Sequence, residues 1–145
     1  MKQMLSVLTV VVAALILWGC DLEIAPGGDL YAHWHLEAVD TLGGQTKNLS
    51  GQKIFWGVEN RLVHCADENK VYPPIVMRFE RTGDSLFLQP PVFDDRANGD
   101  PRVIEVHDVE PFGLPSLGSR WRIETLNANR MTLSGQRLRL HFRKL

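Results

Sequence analysis

His33 and His35 are the residues whose type and spacing come nearest to a metal site. Side chains two residues apart leave a β-strand on the same face, so two imidazoles at this spacing can share one metal ion. Trp34 lies between them and marks the apolar face of the strand, which predicts that both histidines face solvent. No carboxylate or cysteine follows at ligand spacing. The sequence therefore predicts polar surface positions here, with no metal and no cofactor.

The carboxylates and nucleophiles form no recognisable catalytic motif. Asp94, Asp95 and Asp100 lack the alternate acidic positions of a calcium-binding loop. The chain contains no Gly-x-Ser-x-Gly, no His-Glu-x-x-His and no phosphate-binding glycine loop. We therefore expect no catalytic residues and a protein that is not an enzyme.

Cys20 ends a segment that resembles a bacterial lipoprotein signal. Lys2 gives a positive start, residues 5–18 form an uncharged apolar run, and Gly19 is the small residue that precedes the modified cysteine. Trp18 is bulkier than the residue usual at its place. The run is shorter than the ~20 apolar residues that span a membrane. The sequence predicts cleavage after Gly19, acyl chains on Cys20 and a membrane anchor.

The anchor predicts a location in the cell envelope. Asp21 directly follows the cysteine, and in some bacteria an aspartate at this position retains lipoproteins at the inner membrane. In others, acidic residues after the cysteine resemble a surface-export signal. We expect an outer-membrane anchor and favour the periplasmic face over the cell surface. Residues 1–19 are then a signal peptide, residues 20–30 a tether, and residues 31–145 one folded domain.

Cys65 has no partner within the chain if Cys20 carries lipid. No internal disulfide then stabilises the domain. Cys65 lies in a strand-like run, and the neighbouring His64 points to the opposite face, where it cannot activate the thiol. The sequence predicts a buried, unreactive thiol.

The charge balance argues against a nucleic-acid partner. Without Lys2, the chain has 15 basic and 17 acidic residues, so it has no basic field. Arg137, Arg139 and Arg143 do cluster near the end of the chain. They alternate with apolar residues, which predicts the solvated face of one strand, with an anion-binding site as the alternative.

Short alternating segments separated by turn residues predict strands along almost the whole domain. Trp34, Leu36 and Ala38, for example, share one face of the first strand. Turns such as Gly43-Gly44 and Ser134-Gly135 keep successive strands close, which is typical of antiparallel hairpins. The predicted strands are residues 31–39, 53–58, 61–66, 75–81, 85–89, 102–107, 120–126, 130–133 and 137–143.

A sheet with one apolar face must cover that face. About eight antiparallel strands in succession do so by closing into an up-and-down barrel, which also removes the sheet edges. The sequence therefore predicts an all-β barrel with the N-terminal signal segment outside the fold. A barrel of this size is filled by its own side chains or holds one small ligand.

Several short segments of the domain carry a family resemblance. They are Trp34, Gly-Asp-Ser-Leu at 83–86, residues 121–126, Met131-Thr-Leu133 and residues 138–144. In these segments the domain resembles the small lipocalin-like lipoproteins of Gram-negative anaerobes. Ala32 departs from the pattern, since lipocalins have glycine two residues before the first tryptophan. The resemblance implies a barrel with one open mouth, an apolar ligand there, and a late basic residue, Arg139 or Arg143, packed over that tryptophan.

Two functions are compatible with such a barrel. As a binding module it would hold a small apolar or amphipathic ligand in its mouth. As an interaction module it would dock on another envelope protein, as inhibitor or subunit, through loops 40–52 and 89–101. The residues expected to line the ligand site are Trp34, Trp56, Met77, Phe79, Trp121 and Phe142.

Two further features concern the surface of the barrel. Phe55 and Phe87 lie on the second face of their strands and predict either an exposed apolar patch or a cover, which for Phe87 we expect to be loop 90–101. Thr41 and Ser85 each follow an aspartate and precede a leucine. These triplets resemble a short O-glycosylation signal of exported proteins in such bacteria.

Overall fold

The computed structural model describes residues 28–145, and eight of its strands form one closed antiparallel barrel. Two short strands pair with this wall from outside: β2 (Thr46–Asn48) with β1, and β7 (Val92–Phe93) with β5. The wall strands are β1 (His33–Thr41), β3 (Ile54–Glu59), β4 (Leu62–Asp67), β5 (Ile75–Thr82), β6 (Ser85–Leu88), β8 (Ser119–Leu126), β9 (Arg130–Ser134) and β10 (Leu138–Lys144).

Pairing between β1 and β10 closes the barrel. Trp34 lies opposite Lys144, and Leu36 lies opposite Phe142, so the first and last strands contribute to one continuous core. Around the wall, the eight strands follow one another in chain order. The predicted all-β, up-and-down barrel is therefore confirmed, and it has no free edge in its wall.

The two ends of the barrel are closed in different ways. A short 3₁₀ helix, Gly28–Leu30, lies at the end where the tight turns after β3 and β5 also lie, and Leu30 is buried there. We call this the N-terminal end. The long connections, residues 42–53, 68–74 and 89–118, begin and end at the opposite rim. Within residues 28–145, no helix combines the length and apolar character that crossing a membrane requires.

Residues 103–114, which we call the plug, close that opposite rim. The plug contains two short 3₁₀ helices, Val106–Asp108 and Glu110–Phe112. Val109 and Phe112 are completely buried in the same apolar core as the strands. The barrel mouth is therefore occupied by a segment of the chain itself.

The prediction of a strand over residues 102–107 is wrong. Arg102 forms only an isolated bridge to Val92, and the chain turns into the 3₁₀ helix Val106–Asp108 soon afterwards. The physical reason is the closed wall: β6 and β8 pair directly with each other, so a strand between them would find no free edge. The segment instead buries Val103 and Val109 across the end of the barrel.

The apolar face of β1 also changes phase along the strand. Its pairing with β10 is interrupted by a bulge between Leu36 and Ala38. A bulge inserts one extra residue, so every later side chain moves to the other face. Val39 is therefore the residue buried after Leu36, and the prediction that Ala38 continues the buried face is wrong.

Candidate functional site

Three of the residues expected to line a ligand site are core residues with no surface to offer. Trp34, Trp56 and Phe142 are each at most 1% exposed. The rings of Trp56 and Phe142 lie 4.8 Å apart. The indole N–H of Trp34 donates to the carbonyl of Leu30, and that of Trp56 donates to the carbonyl of Phe112, both at 3.0 Å. Both indole N–H groups therefore have a partner inside the barrel. Trp34 bonds the chain at the N-terminal end, and Trp56 bonds the plug at the opposite rim.

The other three predicted residues are buried but border surface grooves. Met77, Phe79 and Trp121 lie under three different grooves, and each is at most 6% exposed. The structure thus does not bring the six predicted residues together around one cavity. Among these three, Trp121 lies beside the plugged rim.

A cavity of about 370 Å³ lies between the plug and the rim of the barrel, and we call it the mouth cavity. Its volume falls within the ~300–1,000 Å³ typical of small-molecule sites. Polar groups reach it from Lys47, Gln52, Glu110 and Arg137. Its apolar lining residues are Val39, Leu49, Tyr72, Leu114, Pro115 and Leu138. A lining with both polar and apolar surface suits a small amphipathic molecule.

A second depression, the rim groove, has a volume of about 510 Å³ and lies beside the turn between β9 and β10. Phe87 and Trp121 supply aromatic surface, and Arg120 and Arg137 supply positive charge. The indole N–H of Trp121 is held by the hydroxyl of Ser119 at 2.8 Å. The rim groove and the mouth cavity therefore present charged and apolar surface at the same end of the barrel.

His33 and His35 have different surroundings. Both rings lie against Phe55, with centroids 5.1 and 5.0 Å away, but only His33 is exposed. The Nε2 of His35 lies 2.7 Å from the carbonyl oxygen of Gln52, to which it donates. The prediction that both face solvent is wrong for His35, because Phe55 and the chain at Gln52 cover it. Among residues 28–145, no group of three His, Cys, Asp or Glu side chains is placed to hold a metal ion.

The two phenylalanines on the outer face also differ. Phe55 is 7% exposed beneath the histidines, so it offers no exposed patch. Phe87 stays half-buried, and the guanidinium carbon of Arg120 lies 5.1 Å from its ring centroid. Loop 90–101 instead places Val92 and Phe93 in pairing with β5. The contact over Phe87 comes from an arginine of the neighbouring strand.

The late arginines do not pack over the first tryptophan. Arg143 Nε lies 2.7 Å from Glu37, and Arg139 Nε lies 3.1 Å from Glu124, both on the outer face. Trp34 points inward, so that implication of the resemblance is wrong for both arginines. The basic residue paired with Trp34 across the strands is Lys144.

Cys65 is a buried thiol in the barrel wall, as predicted. It lies opposite Trp56 on the neighbouring strand and has no exposed surface. Burial raises the pKa of this thiol well above its usual value, because an apolar surrounding disfavours the thiolate. Cys20 and the signal segment lie outside the described residues. Thr41 and Ser85 are both exposed at turns, and their modification stays a prediction.

Sequence reasoning missed most of the residues around the mouth cavity. Tyr72, Leu114 and Pro115 come from connections between strands, which alternation does not describe. One signal was present. The stretch 111–115 places Phe112 and Leu114 in a connection rich in proline and glycine, and apolar residues in a loop need a surface to cover them.

Comparison with solved structures identifies similar folds. A lipocalin-like protein from Bacteroides uniformis is 15% identical with a TM-score of 0.61, covering 81% of this chain and 100% of its own. An uncharacterized protein from Bacteroides eggerthii is 18% identical with a TM-score of 0.58, covering 79% and 98%. A protein from Burkholderia xenovorans, solved by NMR, is 14% identical with a TM-score of 0.53, covering 79% and 82%. At these identities the likeness concerns the fold alone.

The sequence itself places the chain in a family. No curated protein matches it. The model of the lipocalin-like domain, however, matches residues 15–145, which is most of the chain. This match and the closed eight-stranded barrel agree, and the chain belongs to the lipocalin-like domain family.

Proposed function

We propose that this protein is an envelope-anchored, non-enzymatic lipoprotein that binds a small apolar or amphipathic ligand in the mouth cavity. The mouth cavity itself carries the proposal. It combines Tyr72, Leu114 and Leu138 with a few charged side chains, at the rim of the barrel that the plug covers. The barrel interior is filled by side chains, so the ligand lies between plug and rim and not in the centre.

The proposed anchor precedes the N-terminal end of the barrel in the sequence. The described chain begins at Gly28, at the N-terminal end, so a tether from Cys20 joins the barrel at the end opposite the mouth cavity. Residues 20–28 span at most about 30 Å when extended. Anchoring at Cys20 would therefore keep the N-terminal end within about 30 Å of the membrane. We place the anchor in the outer membrane, on its periplasmic face.

Calorimetry with octanamide, a neutral amphiphile, tests ligand binding. The full-chain protein is reconstituted in lipid nanodiscs, with empty nanodiscs as the blank. Leu138→Trp fills the mouth cavity and should abolish saturable binding. Leu126→Trp is the matched control, because Leu126 is an equally half-buried strand leucine at the N-terminal end. Binding that survives Leu138→Trp, or that is absent in the parent, contradicts the proposal.

Cys20→Ser tests the anchor. Without the thiol no acyl chain can attach, so the precursor should stay uncleaved or the protein should leave the membrane fraction. An unchanged mature mass and unchanged membrane partitioning would show that Cys20 is not the anchor. Protease treatment of intact cells tests the side of the membrane, since cleavage of the barrel without lysis would place it on the cell surface.

An interaction module is the alternative function. Leu42, at the turn after β1, and Ile104, in the plug, are 78% and 76% exposed, which gives an envelope partner apolar contact points. Affinity purification from solubilised envelope tests this alternative. A stoichiometric partner that is lost with Leu42→Ser or Ile104→Ser would support it, and recovery of the chain alone would argue against it.

A further inference from the structure

We infer that the ligand carries an acidic group, which Arg120 and Arg137 bind where the rim groove meets the mouth cavity. This inference rests on the proposed ligand-binding function and names the chemical class of the ligand, a single-chain anionic amphiphile. It follows from the way the two depressions adjoin and from the pairing of the arginines on this side of the barrel.

The rim groove and the mouth cavity share one wall. Pro115, Arg137 and Leu138 line both, so these three residues lie between the two. A molecule whose apolar chain lies against Leu114 and Leu138 therefore ends beside the guanidinium of Arg137. Its polar end then faces the rim groove.

The positive charge at this wall is not neutralised by the described part of the chain. Four other arginines, on β8, β9 and β10, each lie within 4.0 Å of a carboxylate oxygen of Glu37 or Glu124. They are Arg122, Arg130, Arg139 and Arg143. Between residues 28 and 145, neither Arg120 nor Arg137 has a carboxylate within that distance. Among the described residues, no acidic side chain lines the rim groove. An anion bound here replaces no existing ion pair.

The surroundings favour an acid over other polar groups. Arg120 rests on Phe87 at 5.1 Å, which limits the motion of its side chain before any ligand arrives. A planar guanidinium donates two parallel hydrogen bonds to a carboxylate or a phosphate. The side-chain amide of Gln136 adds a further donor to the same groove, whereas the hydroxyl of Ser116 already donates to the carbonyl of Gly118 at 2.6 Å. Carboxylates and phosphate monoesters share this chemistry.

Of the acidic residues between 28 and 145, Glu110 alone reaches the mouth cavity, where Lys47 and Arg137 also contribute. These described residues give the cavity a net positive charge, and a cationic amphiphile is disfavoured there. A neutral amphiphile fills the apolar surface but leaves the arginines without a partner. An anionic amphiphile satisfies both kinds of surface.

The test compares octanoate, octyl phosphate and neutral octanamide on the full-chain protein in nanodiscs. We expect the better anionic probe to bind about tenfold more tightly than octanamide, and that advantage should fall as salt screens the charges. Arg120→Gln and Arg137→Gln should each remove most of the advantage. Arg120 lines only the rim groove, so Arg120→Gln should leave octanamide affinity unchanged. Arg139→Gln is the matched control, because Arg139 lies on β10 but pairs with Glu124 away from both depressions. The tighter anionic probe identifies the acid.

The outcomes separate this inference from the proposed function. Octanamide binding with no advantage for either acid overturns the inference and leaves the proposed function standing. An advantage that survives both Arg120→Gln and Arg137→Gln, or that is lost equally with Arg139→Gln, also overturns it. Absence of binding by all three probes overturns both.

Discussion

The indole N–H of Trp56 donates to the carbonyl oxygen of Phe112 at 3.0 Å, across 56 residues of chain. Trp56 belongs to the barrel wall and Phe112 to the plug, and both are buried. A buried carbonyl that loses its partner is costly, so the bond resists withdrawal of the plug. The bond therefore helps to hold the plug, and with it one wall of the mouth cavity, in place.

Trp56→Phe should loosen the plug. The replacement keeps an aromatic ring but leaves the carbonyl of Phe112 unpaired, which should cost about 1–3 kcal/mol in the free energy of unfolding. Trp34→Phe, which loses the bond to Leu30 at the other end, is the control. Hydrogen exchange at the amides of residues 109–114 should rise in Trp56→Phe and stay close to the parent in Trp34→Phe. Equal protection of the plug in both variants would show that the bond does not hold it.

Gly113→Ala should destabilise the protein more than Gly99→Ala. Both glycines have positive φ, at +85° and +76°, so alanine is strained by about 1 kcal/mol at either position. At Gly113 the new Cβ would also lie 3.0 Å from Leu140 and 3.2 Å from Leu36, whereas nothing lies within 4 Å at Gly99. Crowding of this kind typically adds about 1–3 kcal/mol. Denaturant unfolding measures both, and similar losses would mean that the plug adapts without cost.

Most of the barrel wall was readable from the sequence because most of its strands carry an alternating pattern of their own. Leu138, Leu140 and Phe142, for example, alternate with arginines and a histidine, and this local pattern survives in the folded strand. The segment after Arg102 carried a similar pattern but found no free strand edge. Whether an edge is free depends on pairing between distant strands, and alternation within one segment does not contain that information.

The candidate site was less readable for a related reason. Aromatic residues on strands were expected to surround the ligand, yet Trp34 and Trp56 use their indole groups to bond Leu30 and Phe112. Once the plug fills the mouth, these rings become core. The accessible surface then lies where the plug meets the rim, and its residues come from four separate connections between strands. These residues come together only in the closed fold, so no periodic pattern in the sequence predicts the site.

Asp40 should make stability depend on pH below about 4. Two hydrogen bonds, both at 2.7 Å, hold the pKa of Asp40 below its ordinary value of 3.8. The bond from His141 has the larger effect and the bond from Thr46 the smaller. A lowered pKa in the folded state means that the carboxylate stabilises the fold above that ordinary value and loses this effect as pH falls through the lowered pKa. Asp40→Asn should therefore be less stable than the parent at pH 5, and the difference should shrink toward pH 2.

A double variant separates this effect from other acid-sensitive groups. In a His141→Leu background the principal donor is gone, so Asp40→Asn should change the pH dependence less. Thermal unfolding at several pH values measures all four proteins. An undiminished effect of Asp40→Asn without His141 would mean that the pair does not set the pKa.

Thiol titration tests the burial of Cys65 and the acylation of Cys20 in one measurement. Cys65 is fully buried with a raised pKa, so it should react with a thiol reagent only when the barrel opens, at least about 1,000-fold more slowly than free cysteine. If Cys20 is acylated, full-chain protein from the membrane should show no reactive thiol when folded and one in denaturant. A second thiol in denaturant would mean that Cys20 is unmodified, and fast reaction of the folded Cys65→Ala variant would locate that thiol at Cys20. Fast reaction in the folded parent that disappears with Cys65→Ala would contradict the buried state of Cys65 and leave the anchor untouched.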